Sequence, residues 1–253
     1  MLPRVTTGSV ADAWSGASYE RLAETYAPIH DRVVPALEIE PGDRVLDVAC
    51  GTGAVALRAA RAGADVVGID ISADQLAKAR DAAAEAGVAI RFEEGDCQEL
   101  PFAALEFDAV ASTFGAVFAL DHERTAAELA RVCRVGGRLA LTAWAEDHWS
   151  AVNARAGRTF PASANPYEWA EEEHVRELLG ATFDLEFQTG TWRIEAGSGE
   201  ELWELASTSM PPLKAWLAEQ SAEARERAEQ VYLEYLEPGV LERTYLLVLG
   251  TRR

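Results

Sequence analysis

The sequence predicts an α/β protein with a doubly wound, mostly parallel sheet, because strand-like and helix-like segments alternate through its first 144 residues. Short apolar runs predict five strands, at 44–49, 65–70, 88–93, 107–112 and 138–143. Apolar residues at helical spacing predict three intervening helices, at 54–62, 73–86 and 121–132. This alternation is typical of a parallel sheet with helices on both of its faces.

Local signals mark where several of these elements begin and end. Gly63 closes the first predicted helix, and the second starts after the N-cap residue Ser72 and ends at Gly87. Gly136 and Gly137 predict a turn that leads into the fifth strand. The boundary signals and the apolar periodicity therefore predict the same order of helices and strands.

After Trp144 the pattern changes. Strand character returns at 183–194 and 243–251, and helical spacing marks 200–207 and 213–236. We therefore expect one domain over 1–253 with a helical cap inserted late in the chain. Its parts are an N-terminal helical segment at 1–43, a core at 44–144, a cap formed by 145–182 and 198–240, and late strands at 183–197 and 243–253.

Composition narrows the class of protein. The 253 residues include 23 basic and 42 acidic side chains, and 49% are hydrophobic, which is typical of a folded globular chain. The net charge of -19 and the lack of a basic stripe disfavour nucleic acids and anionic membranes as partners. Three scattered cysteines do not suggest a disulfide framework, and we recognise no signal peptide or spanning segment. We expect a cytoplasmic protein.

The most informative segment runs from Asp47 to Gly53, reads DVACGTG, and connects the first strand to the first helix. Gly51 and Gly53 would let a ligand approach the backbone, and the adjacent helix N-terminus offers free N–H groups. The run also fits the loose G-x-G-x-x-A pattern of dinucleotide sites, so a nicotinamide-dependent reductase is one interpretation.

Three acidic residues favour a different ligand. Asp70 ends the second strand, 17 residues after Gly53, where a carboxylate can accept hydrogen bonds from both ribose hydroxyls of an adenosine. Asp96 follows the third strand at the same edge of the sheet. Asp47 would repel a pyrophosphate but attract an ammonium or a sulfonium. The combination indicates an adenosine cofactor that carries positive charge.

These segments resemble the class I S-adenosylmethionine-dependent methyltransferases. The resemblance covers 44–144 and is carried by VLDVACGTG at 45–53, VGIDIS at 67–72, EGDCQELPF at 94–102, FDAV at 107–110 and LARVCRVGGRL at 129–139. It implies a Rossmann-like sheet of seven strands, mostly parallel with an antiparallel last strand, and S-adenosyl-L-methionine as the cofactor. Cys50 departs from the glycine or alanine that is common at its position.

The resemblance also implies a set of cofactor-binding residues, which are Trp14, Tyr19, Asp47, Ala49, Gly51, Gly53, Asp70, Ile71, Asp96, Cys97, Thr113 and Phe114. Asp47 and the backbone of its loop would hold the methionine part, and Asp70 would bind the ribose. Ile71 would lie against the adenine, whose amino group and ring nitrogen would meet Asp96 and the Cys97 N–H.

The remaining members of this set belong to other parts of the site. The resemblance places Thr113 and Phe114 along the methyl-transfer site, and it places Trp14 and Tyr19 in an N-terminal segment folded over the cofactor.

The implied reaction is methyl transfer to a small organic acceptor at oxygen, nitrogen or carbon by in-line displacement. Alignment alone can contribute about 7–11 kcal/mol to such a reaction, and a general base is optional. The candidate bases are His122 and His148. We expect no metal, because no histidine, cysteine and carboxylate cluster is visible in the spacing.

Two questions about function stay open at this point. The acceptor is expected to meet aromatic side chains after the fifth strand, namely Trp144, Trp149, Tyr167 and Trp169. Besides the reductase, a cofactor-binding scaffold without transfer activity is an alternative to the enzyme.

Overall fold

A computed structural model describes residues 19–160 and 164–253, and it confirms the predicted α/β architecture. In the first part of this range helices and strands alternate in the predicted order. The elements are α1 (Tyr19–Glu24), α2 (Ala27–Ala36), β1 (Arg44–Val48), α3 (Ala54–Arg61), β2 (Asp65–Asp70), α4 (Ala73–Ala86), β3 (Arg91–Glu94), β4 (Phe107–Thr113), α5 (His122–Val132) and β5 (Cys133–Trp144).

The second part contains most of the remaining helices and the two late strands. The elements are α6 (His148–Arg155), a 3-10 helix (Pro166–Ala170), α7 (Glu172–Leu179), β6 (Phe183–Glu195), α8 (Gly199–Ser209), α9 (Pro211–Ala218), α10 (Ala222–Leu236) and β7 (Val240–Arg252). A further 3-10 helix, Ala116–Phe118, follows β4. No helix in the described ranges is long and apolar enough to cross a membrane.

The seven strands form one sheet in the order β3-β2-β1-β4-β5-β7-β6. The pairs β1 with β2, β2 with β3, β1 with β4, and β4 with β5 are parallel, whereas β7 is antiparallel to β5. The predicted sheet, mostly parallel with an antiparallel last strand, is therefore confirmed. The strand order changes direction between β1 and β4, and ligands of open α/β sheets bind at the carboxyl edge of such a switch point.

The chain divides into two compact units. The sheet unit comprises 27–146, 160–191 without its undescribed residues, and 244–253. The helical unit comprises 147–159, 192–243 and the described residues up to Tyr26. Residues 164–182, which the sequence places in a cap, thus belong to the sheet unit.

The sheet unit is held together by a continuous apolar core. Strand β1 is buried from Val45 to Val48, and Leu46, Phe107, Leu129 and Phe183 are fully enclosed. Central strands of a parallel sheet bury both faces, which explains why β1 from Val45 to Val48 and β4 from Ala109 to Ser112 are buried without a break. This core fixes the carboxyl edge of β1, β2 and β4, where the loops with the predicted site residues begin.

The helical unit has a core of its own, rich in aromatic residues. Trp192 donates from Nε1 to the carbonyl of Thr25 at 3.1 Å, and its ring lies 5.2 Å from that of Tyr26. The buried hydroxyl of Tyr232 donates to Asn153 Oδ1 at 2.6 Å. These polar groups have partners, as buried polar groups require.

Three local predictions need correction. The helix predicted at 213–236 is two helices, because Ser221 caps α10 by accepting a hydrogen bond from Ala224 N–H at 3.2 Å. The turn predicted at Gly136 and Gly137 is instead an irregularity inside β5, where the register with β4 shifts. Asp121, predicted as the first residue of α5, is its N-cap and accepts from the N–H of Arg124 at 2.9 Å.

Candidate functional site

The loop between β1 and α3 is tightly wound and pinned to the end of β2. Ala49, Gly51 and Gly53 have φ values of 53°, 52° and 81°, in the left-handed region that glycine tolerates best. The Cys50 N–H donates to the carbonyl of Ile69 at 3.0 Å, and the Gly53 N–H donates to that of Cys50 at 2.9 Å. The left-handed φ values at Gly51 and Gly53 favour glycine at both positions, and Ala49 adopts the same region as a non-glycine residue.

Asp70 links this loop to the start of α4. Its carboxylate is 8% exposed and accepts from the Gly51 N–H at 2.8 Å through Oδ2 and from the Ser72 N–H at 2.9 Å through Oδ1. Burial raises the pKa of Asp70, and these two N–H groups oppose the shift. The Ile71 N–H opposes the shift as well. A carboxylate has about four acceptor positions, so these N–H groups leave room for a ligand.

Asp47 lies at the end of β1, in register with Gly68 of β2 and Ala111 of β4. Its carboxylate is 2% exposed and accepts from the Ala56 N–H in the first turn of α3 at 2.9 Å. Burial, helped by the charge of Asp70, raises the pKa of Asp47 to about 7 against the opposing effect of this N–H. The site therefore contains a buried acid that titrates near neutral pH.

Asp96 follows β3 and is held by a residue that the sequence does not single out. Gln98 donates to Asp96 Oδ1 from its backbone N–H at 2.8 Å, and its side-chain amide lies 3.0 Å from both carboxylate oxygens. The same side chain accepts from the Asp121 N–H at 3.0 Å. Gln98 thus ties the predicted adenine-binding acid to the start of α5.

Ile71 and Cys97 lie beside these acids. Ile71 is half-buried directly after β2. Burial, followed by the charge of Asp96, raises the pKa of the Cys97 thiol to about 12, so this thiol is not a nucleophile. The predicted contact of its backbone N–H with the adenine stays a prediction.

The end of β4 approaches the β1 loop so closely that only glycine fits at position 115. A Cβ on Gly115 would lie 2.5 Å from Ala49 Cβ and 2.7 Å from the Ala49 carbonyl oxygen. Beside it, the Phe114 N–H donates to Thr142 Oγ1 at 3.1 Å, and the Phe114 ring stacks on Trp144 with centroids 3.9 Å apart. Thr113 Oγ1 is buried, and no described residue is its hydrogen-bond partner.

The structure therefore brings most of the predicted cofactor residues to one edge of the sheet. The other predicted cofactor residues belong to the helical unit or fall outside the described ranges. Trp14 is outside them, and Tyr19 is the first residue of α1 in the helical unit. His148 is exposed at the first position of α6, also in the helical unit. Trp149 and Trp169, predicted to meet an acceptor, are 2% and 1% exposed in the cores of their units.

His122 belongs to a cluster of polar residues at the start of α5. Its Nδ1 lies 3.1 Å from His174 Nε2 and 3.7 Å from Glu168 Oε2. Burial, followed by the charge of His174, lowers the pKa of His122. Sequence spacing predicts no such cluster, and the structure corrects this expectation: the 3-10 helix at Pro166–Ala170 and α7 bring Glu168 and His174 to a histidine that precedes them by 46 and 52 positions.

Comparison with known proteins identifies the family of this chain. Residues 45–137 match a family described as a methyltransferase domain. The uncharacterized protein Rv1405c of Mycobacterium tuberculosis is 32% identical over 261 residues, which cover 95% of this chain and 93% of that protein. A second uncharacterized protein of that organism, Rv1403c, is 42% identical over 173 residues, or 66% of this chain, and the match spans 63% of its length.

A solved structure of geranyl diphosphate methyltransferase in complex with SAM has the same fold, with a TM-score of 0.57 and 19% identity. The match covers 100% of this chain and 93% of that one. The chain belongs to the class I S-adenosyl-L-methionine-dependent methyltransferases, and its cofactor is S-adenosyl-L-methionine. The predicted family and cofactor are confirmed, and the reductase interpretation is set aside.

We predict that Gly115→Ala weakens binding of S-adenosylhomocysteine at least about tenfold, because the added methyl would force the β1 loop away from β4. Gly197→Ala is the matched control, since its Cβ would meet only the flexible Glu201 carboxylate, at 3.2 Å. Isothermal titration calorimetry measures both affinities. Equal affinities for Gly115→Ala and the wild type would show that this close approach does not shape the site.

Proposed function

We propose that this methyltransferase transfers the methyl group of its cofactor to a small organic acceptor, at oxygen, nitrogen or carbon, by in-line displacement. The observation that supports the site assignment is the pair of buried acids, Asp47 and Asp70, on either side of the loop at the switch point of the sheet. The net charge of -19 disfavours a polyanionic acceptor such as a nucleic acid.

We assign the cofactor contacts residue by residue. The free acceptor positions of Asp70 bind the ribose hydroxyls, and Asp47 attracts the positive charge of the amino acid part. Asp96, oriented by Gln98, accepts from the adenine amino group, and the Cys97 N–H meets a ring nitrogen. When bound, the cofactor supplies an activated methyl group on a sulfonium.

The loop backbone completes the binding of the methionine part. Ala49, Gly51 and Gly53 present their peptide groups at close range because their left-handed φ values turn the chain back on itself. Ile71 packs against the adenine face, and its half-buried position after β2 supports this role. In our proposal Trp14 and Tyr19 belong to the segment that covers the cofactor.

The acceptor would meet the end of β4. We assign Thr113 and Phe114 to the methyl-transfer site. The Thr113 hydroxyl is buried and has no hydrogen-bond partner among the described residues. Phe114 is fixed by its stack on Trp144 and by an edge contact with Tyr245 at 6.0 Å. A rigid aromatic wall of this kind suits a flat or apolar acceptor.

A general base is needed only for acceptors that lose a proton during transfer. Of the two predicted candidates, His122 has its Nδ1 beside His174 and its Nε2 enclosed, so it could accept a proton only if this cluster opened. His148 is exposed. We therefore propose His148 as the base where one is used. We also propose a cytoplasmic location, given three free cysteines.

Asp70→Ala tests the cofactor assignment. We expect binding of S-adenosylhomocysteine to weaken by about tenfold to over a hundredfold, because each lost charge-assisted hydrogen bond contributes about 1.5–3 kcal/mol. The control is Asp81→Ala, which removes an exposed aspartate on α4. Unchanged affinity in Asp70→Ala, measured by calorimetry, would refute the ribose assignment. Tight binding by the wild type without turnover across a broad acceptor panel would instead favour the silent scaffold.

The pKa of Asp47, raised to about 7, predicts a pH dependence of binding. As the pH rises from about 5 to 7 the affinity for S-adenosylhomocysteine should increase by up to about tenfold per pH unit, and above about pH 7 it should level off, because the carboxylate that attracts the ligand's ammonium is then already ionised. Asp47→Asn keeps an acceptor for the Ala56 N–H and should bind more weakly, with a flat profile over this range. Identical profiles for the two proteins would contradict the assignment.

The same titration affects stability, with the opposite sign. Because the folded-state pKa lies above the unfolded value, the native protein holds a proton that the unfolded chain has lost. The contribution of Asp47 to the free energy of unfolding therefore falls as the pH rises from about 4 to 7 and is constant above that range. Urea denaturation of the wild type and Asp47→Asn at several pH values measures the difference.

A further inference from the structure

The cluster at the start of α5 contains three potential metal ligands within the sheet unit. The ligand atoms of His122, Glu168 and His174 all lie within 4.8 Å of one another. They come from three separate elements, namely α5, the 3-10 helix and α7. Two imidazoles and one carboxylate form a donor set that binds zinc in proteins, with a fourth position left for water.

The imidazole nitrogens of His122 and His174 are within hydrogen-bond distance, and two distances in the cluster are also close to those between ligands of one ion. In a tetrahedral zinc site, ligands about 2.0–2.1 Å from the metal lie roughly 3.3 Å from each other. The two imidazole nitrogens are 3.1 Å apart, and His122 Nδ1 lies 3.7 Å from Glu168 Oε2. The second distance is too long for a hydrogen bond.

Burial provides an independent argument. His122 is 6% exposed and Trp169, whose ring lies 5.4 Å from it, is 1% exposed. Burial of the His122 imidazole costs free energy, and an ion bound at its Nδ1 would offset part of that cost.

The chemistry of the donor atoms also suits a cation. Imidazole nitrogens and carboxylate oxygens are both common ligands of divalent transition metals. The carboxylates of Glu168 and the nearby Asp121 contribute negative charge around the imidazoles. Nitrogen donors favour zinc and its neighbours in the first transition series over magnesium or calcium, which prefer oxygen ligands alone.

We propose that His122, Glu168 and His174 bind one divalent transition-metal ion of the zinc class. The ion would join the start of α5 to the 3-10 helix and α7, which the sequence separates by more than 40 positions. A water molecule would occupy the fourth coordination position of the ion and could be exchanged for another ligand. This site is separate from the cofactor loop in its ligands and does not depend on the proposed acceptor.

The experiment is a titration of the full chain with Zn²⁺ after removal of metals by a chelator, in competition with a chromophoric chelator and without cofactor. We expect one equivalent to bind. His174→Gln and Glu168→Gln each remove one ligand and should weaken binding at least about a hundredfold, beyond the 10–100-fold typical of outer-shell partners. The matched controls, His148→Gln and Glu173→Gln, remove exposed residues of the same types and should keep the wild-type affinity.

Two results would overturn the proposal. One is a wild-type chain that binds no stoichiometric Zn²⁺, and the other is His174→Gln or Glu168→Gln binding as tightly as its control. Far-UV circular dichroism confirms that each variant is folded, and the two ligand variants provide separate tests because both residues are only partly buried. Since cofactor binding is measured separately, failure here would leave the proposed methyl transfer intact.

Discussion

The geometry of the site depends on the buried carboxylate of Asp70, which accepts hydrogen bonds from two backbone N–H groups. One N–H belongs to Gly51 in the β1 loop and the other to Ser72 at the start of α4. Hydrogen bonds to a charged group contribute about 1.5–3 kcal/mol each and offset part of the cost of burying the carboxylate. The left-handed turns at Ala49 and Gly51 bring the loop within reach of Asp70.

Two buried acids in one corner are costly for the unliganded protein. The pKa values of Asp47 and Asp70 are both raised, chiefly by burial, and the charge of Asp70 adds to the shift at Asp47. Natural proteins keep such strain where function uses it. In our proposal a cationic ligand reduces this cost. The carboxylates that destabilise the unliganded protein therefore favour binding of the cofactor. A pyrophosphate would have the opposite effect.

Much of this could be predicted from the sequence, because local signals carry it. Asp47, Asp70 and Asp96 each follow an apolar run, and parallel strands place such residues at one edge. The sequence does not predict the roles of Gln98, Gly115 and the partners of His122, because these roles depend on contacts between residues far apart in the chain. The break before α10 is not predictable from the apolar periodicity, because the spacing of apolar residues continues through Ser221, which caps the helix.

The most direct test of the central claim is a crystal structure of the wild-type protein with S-adenosylhomocysteine bound. The account predicts that both ribose hydroxyls donate to the Asp70 carboxylate while the Gly51 and Ser72 N–H groups keep their hydrogen bonds to it. A nucleoside bound elsewhere, or an Asp70 side chain turned away from the ribose, would contradict the account and leave only the fold and the family.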